Sequence, residues 1–106
     1  MNAVQIQRIL FEIHSERKRQ FQKWGDQNKS LPEFVSILTE EVGEVAKEAN
    51  KFHNREPYDS GHKPKYDYEH GQIERLKWYR EELIQVAAVA VQMIENVESM
   101  IKKLEE

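Results

Sequence analysis

The densest chemistry in this chain is Glu40-Glu41-Val42-Gly43-Glu44, three carboxylates in a stretch whose apolar spacing is helical. At 3.6 residues per turn, Glu44 is a neighbour of both Glu40 and Glu41, roughly 5–6 Å away on the helix surface. Like charges at that spacing repel by a few tenths of a kcal/mol per pair unless a cation sits between them. Hard divalent cations such as Mg²⁺ take oxygen ligands, keep several waters and share them with phosphates. The plain alternative is a solvated helix face, since Glu is a good helix former. Gly43 adds a question, because glycine inside a helix costs ~1 kcal/mol relative to Ala. It fits either a close approach by a helix or ligand, or simple tolerance.

A second polar line lies later in the chain. Glu82, Gln85, Val89, Gln92 and Asn96 align at helical spacing beside an alanine-rich apolar seam, with Trp78 one turn before. Helical bundles build metal sites from inward carboxylates on facing helices. The di-iron version needs a His three residues after a ligand Glu, and no such pair fits here. His14, His53, His62 and His70 lack zinc-like spacing and receive no role.

Helices must position these groups. From Ala3 to about Gln22 the residues Val4, Ile6, Ile9, Leu10, Ile13 and Phe21 form a helical stripe, ended by the turn residues Gly25-Asp26-Gln27-Asn28. Ser30-Leu31-Pro32-Glu33 reads as a capped helix start. Leu31, Val35, Leu38, Val42, Val45, Ala49 and Phe52 then run as a four-three seam, with Glu41 at its shoulder, Glu44 further round and Glu40 nearly opposite. Arg55 to Asp67 has no periodicity and reads as a loop. From about Glu69 the residues Ile73, Leu76, Leu83, Ala87, Ala90, Ile94, Val97, Ile101 and Leu104 repeat the seam, interrupted only by Arg80, as one long helix or two broken near Gly71. Strand signals are absent. The fold class is all-α: a bundle of three to four helices with a long C-terminal helix, in one domain spanning residues 1–106.

Composition sets further bounds. With 106 residues, 33% charged and 39% apolar, the chain has little spare core, so oligomerisation is expected to complete it. A net charge of −3 argues against nucleic acid as the main partner, and Arg17-Lys18-Arg19 reads as a solvated helix face. The chain has no cysteine, no secretory signal and no apolar run of membrane-spanning length, which points to the cytoplasm.

Glu-Glu-x-x-Glu on one helix, with a partner motif on a later one, resembles the MazG-like all-α nucleoside triphosphate pyrophosphohydrolases. That superfamily includes the dimeric dUTPases and the dCTP pyrophosphatases. Residues 19–27 (RQFQKWGDQ) ahead of residues 38–45 (LTEEVGEV) look like the N-terminal half of its small phage-type members, and residues 81–90 (EELIQVAAVA) look like the second motif. The likeness covers roughly residues 6 to 97. Two departures stand out: the insertion between the motifs is long, and the second motif's Asp is Gln85, which has a carbonyl but no charge.

The resemblance implies hydrolysis of an NTP or dNTP to the monophosphate and pyrophosphate, with Mg²⁺ or alternatively Mn²⁺ as cofactor. It implies Glu41, Glu44 and Glu82 as metal ligands, Gln85 as a weaker one, and Glu40 as a further ligand or the base that positions water. Lys63, Lys65, Arg55 and Arg80 are candidates for the phosphates, or plain surface charge. Trp24 with Gln20 or Gln27 is a candidate for the base, though a helix-end aromatic also serves as a core plug. A homodimer or dimer of dimers, without nucleic acid or membrane, completes the expectation. The alternatives are a catalytically weak nucleotide-binding or regulatory relative, for which Gln85 argues, and a purely structural helical oligomerisation protein.

Overall fold

The structure, a computed structural model, describes residues 1–55 and 68–106. Over those residues it is all-helical, with three helices and no strand: α1 (Ala3–Trp24), α2 (Leu31–His53) and α3 (Tyr68–Glu105). Most of the loop expected over Arg55–Asp67 lies outside the described residues. α3 is continuous through Gly71, which resolves the choice between one helix and two.

Local sequence explains the ends. The Asn2 side chain accepts from the Gln5 backbone N–H at 3.1 Å and starts α1. Gly25, at φ +69°, stops it in a conformation that favours glycine, and its N–H donates to the Phe21 carbonyl at 2.7 Å. α1 therefore runs two residues beyond Gln22. The expected cap of α2 forms a complete capping box: Ser30 Oγ accepts from the Glu33 N–H, and the Glu33 carboxylate accepts from the Ser30 N–H at 3.0 Å.

α1 and α2 each pack on α3 and not on each other. Among the described residues the buried apolar core is small, consisting of Phe34 from α2 and Ile84, Ala88 and Val89 from α3. Ala88 is fully covered, and its small side chain lets the helices approach.

The four-three seams sit differently from a simple core-facing reading. On α3, Ile73, Leu76, Leu83, Ile94, Val97, Ile101 and Leu104 are all exposed, and the covered face is instead Ile84, Ala88 and Val89. On α2 the most buried residue is Phe34, outside the seam, while Leu31, Val35 and Val42 are exposed. The seam's Leu38, Val45, Ala49 and Phe52 are half-buried, as are Glu41 and Glu48, so the covered stripe is shifted partway round α2 toward Phe34, Glu41 and Glu48. The α3 positions that meet its neighbours mix apolar and polar residues: Gln85 and Glu95 bond α1, and Arg75 pairs with Glu48 of α2. No helix among the described residues is long and apolar enough to cross a membrane.

Candidate functional site

The shift of the covered stripe brings Glu41, at the seam's shoulder, to the junction with α3. Glu41 is half-buried there, and so are Glu48 and, across the junction, Glu82. Desolvation raises the Glu41 carboxyl above the ordinary carboxylate value, and the charges of Glu44, Glu40 and Glu16 push it in the same direction. Glu82 is raised first by desolvation, then by Glu41, Glu44, Glu48 and Glu81. Two helices thus hold their carboxylates within mutual electrostatic reach.

These charges are unevenly compensated. Glu48 has Lys51 at 3.5 Å and Arg75 at 3.8 Å. Glu41, Glu44 and Glu82 have no ion-pair partner among the described residues. Also among those residues, no three His, Asp or Glu side chains converge tightly enough to hold a metal ion by themselves. Mg²⁺ seldom needs such a cage, because one or two carboxylates, waters and substrate phosphates complete its octahedron. Carboxylates crowded together without a cation among the described residues suit that ion in chemistry.

Beside the acidic junction a cleft of about 390 Å³ opens between the C-terminal half of α1, the α1–α2 linker, α2 and α3. It brings together Gln20, Trp24, Gln27, Glu41 and Gln85, five of the residues picked out from the sequence. Trp24 is 60% exposed at its mouth, so it is no core plug, and Lys23 Nζ lies over its ring at 4.8 Å. The rest of the wall combines Arg19, Lys23 and Lys29 with Ile37, Val89 and Gln92. Cationic, aromatic and amide groups therefore share one cavity.

Gln85 is held from α1. Its Nε2 donates to Glu16 Oε1 at 2.9 Å, and its Oε1 accepts from Gln20 Nε2 at 3.3 Å. Glu16 also takes the Arg19 guanidinium, and that bond lowers its carboxyl, with burial opposing and Gln85 assisting. Both ends of the Gln85 amide are thereby engaged by α1 side chains, the carbonyl by the Gln20 donor and the amide N–H by the Glu16 acceptor.

The other candidates lie elsewhere. Glu40 and Glu44 are exposed on α2 beside the junction, outside the cleft wall. Arg80 turns to α1 and pairs with Glu12. Arg55 is exposed just past the end of α2, at φ 55°. Lys63 and Lys65 lie outside the described residues. At Gly43 an added Cβ would meet nothing within 4 Å, so no neighbouring helix of this chain requires the glycine.

Glu16, Arg19 and Lys23 were missed as site residues. Arg17-Lys18-Arg19 is not a uniformly solvated face: Arg17 is largely covered and donates to Glu95 at 2.8 Å, while Lys18 and Arg19 are exposed as expected, Arg19 at the wall of the cleft. A signal existed, because Glu12, Glu16, Gln20 and Lys23 recur at helical spacing along one polar line of α1. A second, polar pocket of about 300 Å³ shares Gln27 and Gln92 with the cleft and continues past them to Arg17, Asn28 and Asn96.

Comparison of the chain with protein-family models, with curated proteins and with solved structures returns no match.

Proposed function

We propose that this protein is a Mg²⁺-dependent nucleoside triphosphate pyrophosphohydrolase of the MazG-like kind, cleaving an NTP or dNTP to the monophosphate and pyrophosphate. The observation that carries the reading is the cleft itself. Gln20, Trp24 and Gln27 share it with Glu41 and Gln85, beside carboxylates that have no cation among the described residues. A nucleotide needs this combination of a stacking face, amides for a base edge, cations for phosphates and carboxylates for a metal.

Trp24 offers its ring to the base, with Lys23 on one face already, and Gln20 and Gln27 offer amide donors and acceptors. Arg19, Lys23 and Lys29 supply the charge that meets phosphates at the mouth. Glu41, Glu44 and Glu82 would hold Mg²⁺, or Mn²⁺ in its place, with Gln85 a weak fourth donor. Bound there, the ion would supply charge neutralisation for the phosphates and a more acidic water. Glu40, one turn before Glu44, would take the proton of the attacking water. Ile37 and Val89 make the inner wall apolar, which limits bulk water around the reacting phosphate. Such an enzyme works on the nucleotide pool, in the cytoplasm, as a homodimer or dimer of dimers.

One observation favours a second reading. Because Gln85 is uncharged and held by Glu16 and Gln20, a relative that binds nucleotides without cleaving them is the alternative. A screen for Mg²⁺-dependent pyrophosphate release over the eight common NTPs and dNTPs separates them. Release from at least one supports the enzyme. Binding without release supports the alternative, and neither binding nor release removes both.

A further inference from the structure

The polar pocket beyond Gln27 and Gln92 differs from the cleft in charge. The cleft wall sets Arg19, Lys23 and Lys29 against the carboxylate of Glu41. In the pocket Arg17 and Lys103 are matched by Asp26 and Glu95, and amides and a hydroxyl fill the rest of the wall. A cationic wall suits phosphates, whereas a charge-balanced wall of donors and acceptors suits a neutral polar ring. The two spaces meet along one line of α3. From Gln85 to Asn96 the helix rises about 16 Å, so a nucleotide lying along it has its phosphates by the carboxylates and its base at the polar end.

The free hydrogen-bonding atoms of the pocket form a pattern. Arg17 donates Nε–H and Nη2–H to Glu95 Oε2 at 3.2 and 2.8 Å, which pins the guanidinium at the wall and leaves Glu95 Oε1 uncommitted among the described residues. Arg17 Nη1 and Asn96 Oδ1 are covered and have no hydrogen-bond partner among those residues. Covered polar atoms of this kind are costly to leave unmet. Because Asn96 Oδ1 holds no bond, turning it toward the cavity breaks none at that atom. The wall therefore offers a donor from Arg17 beside acceptors from Glu95 and Asn96. Base edges differ in how they meet such a set. Uracil presents acceptor, donor, acceptor; cytosine presents donor, acceptor, acceptor; adenine presents one donor and one acceptor. Guanine sets two adjacent donors, the ring N1–H and the 2-amino group, beside the acceptor O6.

We propose that this pocket reads the edge of the base and that the base is guanine, which makes a guanine nucleoside triphosphate the preferred ligand. O6 accepts from Arg17 Nη1, and the N1–H and 2-amino group donate to Glu95 Oε1 and Asn96 Oδ1. The face of the ring stays with Trp24, and its edge passes between Gln27 and Gln92, which the two spaces share. The proposal rests on the nucleotide reading of the cleft and adds which base that reading requires.

The test compares GTP with inosine triphosphate, which lacks only the 2-amino group, and with ATP, CTP and UTP. The readout is kcat/KM for Mg²⁺-dependent pyrophosphate release, or Kd by calorimetry where binding occurs without release. GTP is expected to lead inosine triphosphate by about 10-fold or more, as a hydrogen bond to a charged group warrants, and to lead the other three at least as far. Glu95→Ala and Asn96→Ala should each bring the ratio of GTP to inosine triphosphate down toward one. That ratio is internal to each variant, so a general loss of stability cancels from it, and circular dichroism checks helicity. If Glu95→Ala loses its helices, Glu95→Gln replaces it. A wild-type ratio near one, with both nucleotides cleaved or bound, overturns the guanine assignment and leaves the proposed function standing. A ratio that either folded variant leaves unchanged overturns it too. Absence of release and binding with every nucleotide removes the nucleotide reading itself, and the guanine assignment with it.

Discussion

Gln85 Nε2 donates to Glu16 Oε1 at 2.9 Å, tying the second polar motif of α3 to α1. The acidic cluster belongs to α2 and α3, so this bond sets the side of the cleft from which Gln85 works. It also gives Glu16 a partner whose donor has no charge of its own to titrate.

Gln85→Glu is therefore informative. It replaces the donor by a carboxylate facing Glu16, removing a hydrogen bond to a charged group worth about 1.5–3 kcal/mol. We expect the variant to melt lower without divalent cation and to recover much of the loss with Mg²⁺. Thermal melts with and without Mg²⁺ read both effects, and a melt unchanged without Mg²⁺ would count against the observed bond.

Glu41→Gln is expected to act in opposite directions on stability and activity. Removing one of several repelling carboxylates stabilises the fold by a few tenths of a kcal/mol. The same change should cut pyrophosphate release about 100-fold or more, because a ligand is lost at the site of the forming charge. Hydrolysis that survives at the wild-type rate would remove Glu41 from the mechanism.

The pH dependence has a definite sign. Glu41 and Glu82 have folded pKa values above their unfolded ones, so the native state holds more protons in that window. Their contribution falls as pH rises from the ordinary carboxylate value through the raised folded values, and stays low above them. Mg²⁺ should restore it, and its stabilising effect should grow over the same window. Glu16 is lowered and behaves oppositely: its contribution is present above the ordinary value and is lost as pH falls through its lower folded pKa. Urea melts across the acid range, with and without Mg²⁺, separate the two. A Mg²⁺ effect independent of pH would contradict the assignment.

Gly43→Ala tests why a glycine stands between the glutamates. With nothing within 4 Å of the added methyl, the substitution should stabilise α2 by about 0.4–1 kcal/mol. A rise in melting temperature with unchanged hydrolysis means the glycine is tolerated. A rise with lost hydrolysis means a ligand approaches there.

Phe34→Ala should be the most damaging single change. Phe34 is 1% exposed and is the largest fully buried side chain among the described residues, and such truncations cost about 3–5 kcal/mol. In a core this small, most of the helical signal should be lost at 37 °C.

The helices were legible in the sequence because their signals are local. The Ser30–Glu33 capping box, the Gly25 stop and the 3.6-residue periodicity act within a few residues and are all present in the structure. The acidic pentapeptide and its partner motif were legible for the same reason, since spacing alone puts Glu41 near Glu44 and Glu82 near Gln85. Orientation was not legible. An apolar seam states that a face must be covered, but not by what, because burial is non-directional and the same side chains fit a neighbouring helix or a second molecule. Only the tertiary packing decided that α1 and α2 both pack on α3 and not on each other, that α2 buries Phe34 with Glu41 half-buried on the same side, and that Glu16 on α1 holds Gln85. Those relations join residues as many as 69 positions apart, and no local pattern encodes a contact at that separation.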